Sequence, residues 1–192
     1  MAHTQKAAAI IEMYMKAHSL IDFLKTCGNE DLPRARRIVK EELPAAVMAF
    51  RADLGIYPMP NDDGFCNLAA LNDRTMVPSF LQDRWNGPYT KLNIRSWDLN
   101  RGNILADEEN RDIRYGVMIV PARHFRDVTL IKNGSAEGRL EERYFSVVAL
   151  LPKYIAECLK TEAGGPVAVY EWDNRLSMLF YAFDRMRPPV YR

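Results

Sequence analysis

Residues able to do chemistry are few in this chain and far apart. The three histidines, His3, His18 and His124, belong to no HExxH pattern and to no spacing that puts two metal ligands on one helix face. Serine offers no GxSxG elbow, and neither GxGxxG nor GxxxxGK(S/T) occurs, so acyl transfer and phosphate-loop chemistry have no local signature. Cys27, Cys66 and Cys158 form no CxxC pair, which argues against a zinc site. Their odd number permits at most one internal disulfide and fits a reducing compartment better than an oxidising one. Asp107, Glu108, Glu109 and Asp112 offer oxygens to calcium, but without the alternating carboxylates and turn glycine of an EF-hand they read as a solvated hairpin tip. Asp62 and Asp63 lie in a turn, where aspartate is favoured for backbone reasons. The one grouping an unfamiliar enzyme would use is His124 with Arg123 and Asp127, polar groups that follow an apolar strand. The expectation is a non-enzyme with no catalytic, cofactor-binding or metal residue.

Composition narrows the partners. The chain has 192 residues, 48% hydrophobic and 27% charged, with a net charge of +1. That is globular usage, and a near-neutral chain has no global pull toward nucleic acid or an anionic membrane. Arginine clusters (Arg34, Arg36, Arg37; Arg185, Arg187, Arg192) read as solvated faces. No stretch reaches the roughly 18–20 apolar residues that span a bilayer. Proteins are therefore the expected partners, with no membrane span and no nucleic acid.

The elements that must position these residues follow from periodicity. An amphipathic helix is predicted over 5–26, within an N-terminal segment 1–30, and an α+β globular domain over 31–192. A second helix covers 33–53 with Ile38, Val39, Leu43, Ala46, Val47, Phe50 and Leu54 as its stripe; Pro44 kinks it and Gly55 ends it. A short helix is predicted over Phe65–Leu71, strands over 90–97 and 113–121, with the acidic stretch from Ala106 to Asp112 as the loop between them. A further strand is predicted at 124–131 with a turn at Asn133-Gly134. Residues 139–160 read as a third long helix, with Tyr144, Val147, Val148, Leu151, Ile155 and Leu159 inward and Pro152 breaking or kinking it. After the Gly164-Gly165-Pro166 turn, strands Val167–Trp172 and Leu176–Phe183 form a hairpin.

One pattern carries more than its parts. The run Phe50-Arg51-Ala52-Asp53-Leu54-Gly55-Ile56-Tyr57-Pro58 is followed by Gly64, Leu68 and Leu71, then by Trp85-Asn86-Gly87-Pro88-Tyr89 and by Trp97. This order resembles the major pseudopilin of type II secretion systems, within the type IV pilin-like class, over residues 36–100. In that family a long helix ends in an aromatic-Arg-x-Asp-x-Gly-x-Tyr-Pro segment, and a Trp-x-Gly-Pro-Tyr turn and a later tryptophan follow. The chain departs from the family in three places. Its N-terminal helix is amphipathic and set apart by Gly28 and Pro33, the C-terminal calcium loop has no counterpart, and the last 90 residues are longer and carry an extra helix.

The resemblance implies a pilin-like fold, a kinked helix packed on a small antiparallel sheet with additional helices. It also implies a non-enzymatic structural and assembly role alongside copies of itself or other secretion or pilus components, in the periplasm or at the inner membrane. Leu43, Val47 and Phe50 would hold the helix to the sheet. Tyr57 would fold onto the first strand, and with Trp85 and Tyr89 would fix the loop. The alternative is a soluble cytosolic or virion adaptor without pilin ancestry, whose amphipathic helices form a partner interface.

Overall fold

A computed structural model describes residues 31–60, 64–98, 102–106, 114–121, 143–162, 166–172 and 174–186. The predicted helix 5–26, the Asp62-Asp63 turn, the acidic tip 107–112, the strand 124–131 with His124, the Asn133-Gly134 turn and Gly164-Gly165 lie outside these residues.

The described chain is an α+β structure. A rod of helix runs from Asp31 to Leu54 in three parts: α1 (Asp31–Arg37), one π turn (Ile38–Glu42) and α2 (Leu43–Leu54). The predicted Pro44 kink takes the form of this π turn. Proline lacks the N–H that would bond the carbonyl four residues back, and its ring crowds that carbonyl. The wider turn just before it, closed by the Leu43 N–H on the Ile38 carbonyl, leaves Pro44 in the first turn of α2, where its missing donor costs nothing. Ala35, Ile38, Val39, Leu43, Ala46, Val47, Phe50 and Leu54 form one continuous buried stripe along the rod.

That stripe lies on a six-stranded antiparallel sheet: β1 (Arg95–Asp98), β2 (Gly102–Ala106), β3 (Arg114–Pro121), β4 (Arg143–Pro152), β5 (Val167–Glu171) and β6 (Leu176–Met186), in the spatial order β1-β2-β3-β4-β6-β5. The β5–β6 hairpin is as predicted from sequence, and β3 is within one residue of prediction at its start. Strand 90–97 shrinks to β1, and β2 is a strand the sequence does not predict, overlapping the predicted acidic loop only at Ala106.

The largest correction concerns 139–160. Residues 143–152 are not helical; they form β4, at the centre of the sheet, and only Lys153–Thr161 is helix (α3). The apolar run of β4 satisfies both periods. As a strand it turns Phe145, Val147, Ala149 and Leu151 toward the rod, and Tyr144, Ser146 and Val148 to the opposite face. A strand buried on both faces reads as a continuous apolar run, which helical spacing imitates. Pro152 ends β4 and serves as N-cap of α3, so the break falls where proline put it.

α3 returns over the sheet beside α1. Ile155, Ala156, Cys158 and Leu159 are buried there, and Cys158 is disulfide-bonded. Arg36 pairs bidentately with Glu162 at the end of α3, and Lys40 lies 3.5 Å from the same carboxylate. These contacts hold the Glu162 carboxyl below its usual range. Among the described residues no helix is long and apolar enough to cross a membrane.

Candidate functional site

The residues singled out by the sequence pattern converge where the rod ends. Gly55 adopts the left-handed conformation (φ 76°) and its N–H reaches the Arg51 carbonyl at 2.8 Å, which closes α2. The chain then turns through half-buried Tyr57 and buried Pro58 back toward the sheet. Gly64 to Cys66 pairs with the edge of β3: the Cys66 N–H donates to the Val117 carbonyl and the Ile119 N–H to the Gly64 carbonyl. The predicted helix 65–71 is thus a strand-like bridge followed by a single 3₁₀ turn, Leu68–Leu71, capped by the Asn67 side chain. Burial pushes the free Cys66 thiol up to about 12, so it is an inert packing group.

Two clamps hold this junction, one on each side of α2. On the first side, the Tyr57 ring stacks on Phe145 with centroids 3.6 Å apart, and its hydroxyl donates to Asp184 of β6. Arg51 pairs with the same carboxylate oxygen, and its guanidinium carbon lies 4.6 Å above the Tyr57 ring. Burial, then the Asp184 hydrogen bond, raise the Tyr57 phenol above its ordinary range. The expected contact of Tyr57 with the first strand is therefore corrected to β4 and β6.

Asp184 reaches this place through a register shift. Ser146 pairs with Ala182, but Phe145 pairs with Asp184, which leaves Phe183 as one extra residue in β6. Without it, Asp184 would face away from the rod, opposite Tyr144. The extra residue turns Asp184 to the rod side, a common use of a bulge.

On the second side, the Trp85-Asn86-Gly87-Pro88-Tyr89 loop packs under the end of α2. The Trp85 indole N–H donates to the Ala70 carbonyl at 2.9 Å, and the Tyr89 N–H to the Leu71 carbonyl at 2.8 Å. Tyr89 meets Phe50 and Trp85 edge-on, with centroids at 5.6 and 5.7 Å, and its hydroxyl donates to Asp53 at 2.9 Å. The Gly87-Pro88 peptide is cis. A Cβ on Gly87 would come within 2.5 Å of the Trp85 ring and 2.9 Å of Tyr89, so only glycine lets the loop fold over its own tryptophan.

The structure thus brings together ten of the eleven motif residues: Phe50, Arg51, Asp53, Gly55, Tyr57, Pro58, Trp85, Gly87, Pro88 and Tyr89. Trp97 falls in the backbone of β1. Sequence reading missed Phe145 and Asp184, and nothing local marks either. Helical spacing predicts Phe145 in a helix, and strict alternation through Leu179, Tyr181 and Phe183 would turn Asp184 to the other side.

The clamps also decide what α2 shows to its surroundings. At 100° per residue, Arg51 and Asp53 stand on opposite flanks of the helix, and each is tied inward by its clamp. Between them Ala45, Met48, Ala49 and Ala52 recur at helical spacing on the outer face, all exposed, with Met48 at 39%. Val47 at 0% and Phe50 at 1% mark the inner face. Among the described residues no three His, Cys, Asp or Glu side chains are grouped to hold a metal ion.

No protein-family model, curated protein or solved structure matches this chain.

Proposed function

We propose that this chain is a non-enzymatic assembly subunit, built in the manner of a type II secretion pseudopilin or type IV pilin-like globular domain. One observation carries the reading: α2 buries one face on the sheet, spends its two flanking charges on the clamps, and leaves an uncharged outer face exposed. A helix with apolar residues on both faces is ordinarily covered on both. The clamps support the kinship because ten of the eleven residues of the resembling pattern lie at one junction, where Phe50, Arg51, Asp53, Tyr57, Trp85 and Tyr89 make its contacts. The reading places the protein among copies of itself or neighbouring secretion or pilus components.

Sedimentation velocity over a wide concentration range, with chemical cross-linking, tests this. Association that Met48→Glu weakens without lowering the thermal midpoint supports it. A wild-type chain that remains monomeric and uncross-linked at every concentration overturns it. Association that ignores substitutions at Met48 and Ala49 would move the interface elsewhere and favour an adaptor role.

A further inference from the structure

The three cysteines have different fates. Cys66 is free and buried at the bridge to β3, where its N–H bonds the Val117 carbonyl. Cys158, on the buried side of α3, is disulfide-bonded. A disulfide within one chain needs a second cysteine, and besides these two the sequence holds only Cys27. Cys27 stands four residues before Asp31, the first residue of α1, and four residues span up to about 13–14 Å. α3 is clasped to α1 within that scale. Arg36 pairs bidentately with Glu162, whose own N–H bonds the Cys158 carbonyl one helical turn back. Leu32 and Ala35 of α1 share one buried cluster with Cys158 and Leu159.

We infer that Cys158 is joined to Cys27, so that a disulfide ties the chain ahead of the rod to α3 and the protein matures where thiols are oxidised. This does not depend on the assembly reading. Forming the bond takes two protons and two electrons from the two thiols, and a disulfide oxidant accepts them. One thiolate attacks the oxidant to give a mixed disulfide; the second displaces it, and the oxidant leaves as two thiols. Such bonds persist in secreted and periplasmic proteins and are rare in a reducing cytosol. The odd cysteine count favoured a reducing compartment, but the odd residue is Cys66, which packing alone accounts for. A dithiol reverses the exchange, which makes the tether redox-sensitive. The loop closed between positions 27 and 158 is long, and a cross-link restricts the unfolded chain more as its loop lengthens.

The test uses the full-length chain equilibrated with reduced and oxidised glutathione, then alkylated with iodoacetamide, digested and mapped by mass spectrometry. The Cys27 and Cys158 peptides should run as one linked mass that dithiothreitol separates. Thermal melts supply a second measurement. Dithiothreitol should lower the midpoint of wild type and of Cys66→Ala by about 5–15 °C, the size of a typical disulfide contribution in a chain of this length, and should leave that of Cys27→Ser where it stands. If Cys66→Ala fails to fold, the peptide map and the Cys27→Ser melt still decide. An alkylated Cys27 in the oxidised sample overturns the inference. So does a link from Cys158 to Cys66 or to a second chain, or a Cys27→Ser midpoint that falls with dithiothreitol as far as wild type does.

Discussion

Asp184 faces Phe145 across the β4–β6 ladder one residue out of step with the neighbouring Ser146–Ala182 pair. That offset puts a carboxylate and an aromatic ring side by side on the rod face of the sheet, and Tyr57 uses both, the ring for stacking and the carboxylate for its hydroxyl. Local helix capping and long-range strand register therefore meet at one side chain.

If Tyr57 and Asp184 act as a unit, their substitutions will not add. Tyr57→Phe, Asp184→Asn and the double variant should show a coupling of about 0.5–3 kcal/mol in urea denaturation. Additivity within about 0.3 kcal/mol would mean the contact contributes nothing net.

Two glycines at the junction are needed for different reasons. Gly55→Ala meets no neighbour and pays only for its left-handed backbone, about 1 kcal/mol. Gly87→Ala drives a methyl into the Trp85 and Tyr89 rings and should cost about 1–3 kcal/mol, with Trp85 fluorescence shifting as the ring is displaced. Unchanged Trp85 fluorescence in Gly87→Ala would contradict the packing of that loop.

The two faces of α2 should respond in opposite ways. Phe50→Ala removes a ring wedged against Tyr89 and the sheet and should lower stability by about 3–5 kcal/mol. Met48→Glu on the outer face should stay within about 0.5 kcal/mol of wild type. A large loss of stability at Met48 would show that this face is already covered within the chain.

Alkali should loosen both clamps. The Tyr57 and Tyr89 phenols are raised by burial, with hydrogen bonds to Asp184 and Asp53 adding to it. A folded value above the unfolded one stabilises the protein fully below the unfolded value of about 10, and that contribution is lost as pH rises beyond it. Thermal midpoints should therefore fall above about pH 10, and less steeply in Tyr57→Phe and Tyr89→Phe, which cannot ionise there. Identical alkaline limbs in all three proteins would count against the burial of these hydroxyls.

Several features could be read from the residues in order. The buried stripe of the rod was legible because Leu43, Ala46, Val47, Phe50 and Leu54 repeat at helical spacing. Its end was legible because Gly55 and Pro58 leave the chain few alternatives. The β5–β6 hairpin declared itself through two β-rich runs around polar Asn174 and Arg175. The Trp85–Tyr89 loop was legible as a turn, since Gly-Pro between aromatics has little other use.

What the order of residues could not decide was anything set by contact between distant segments. Tyr144, Val147, Val148 and Leu151 fit a helical period as well as a strand. Only their position between β3 and β6, apolar on both faces, selects the strand. Pro44 announced an interruption, but its form as a preceding π turn depends on keeping Ile38, Val39 and Leu43 all against the sheet. Asp184 was the least visible, because one extra residue in β6 reverses the side a side chain faces, and a register is a property of two strands rather than one. Local propensity and chain stiffness fixed the rod, its cap and the hairpin; pairing across the sheet chose the central strand and the residue that clasps the rod to it.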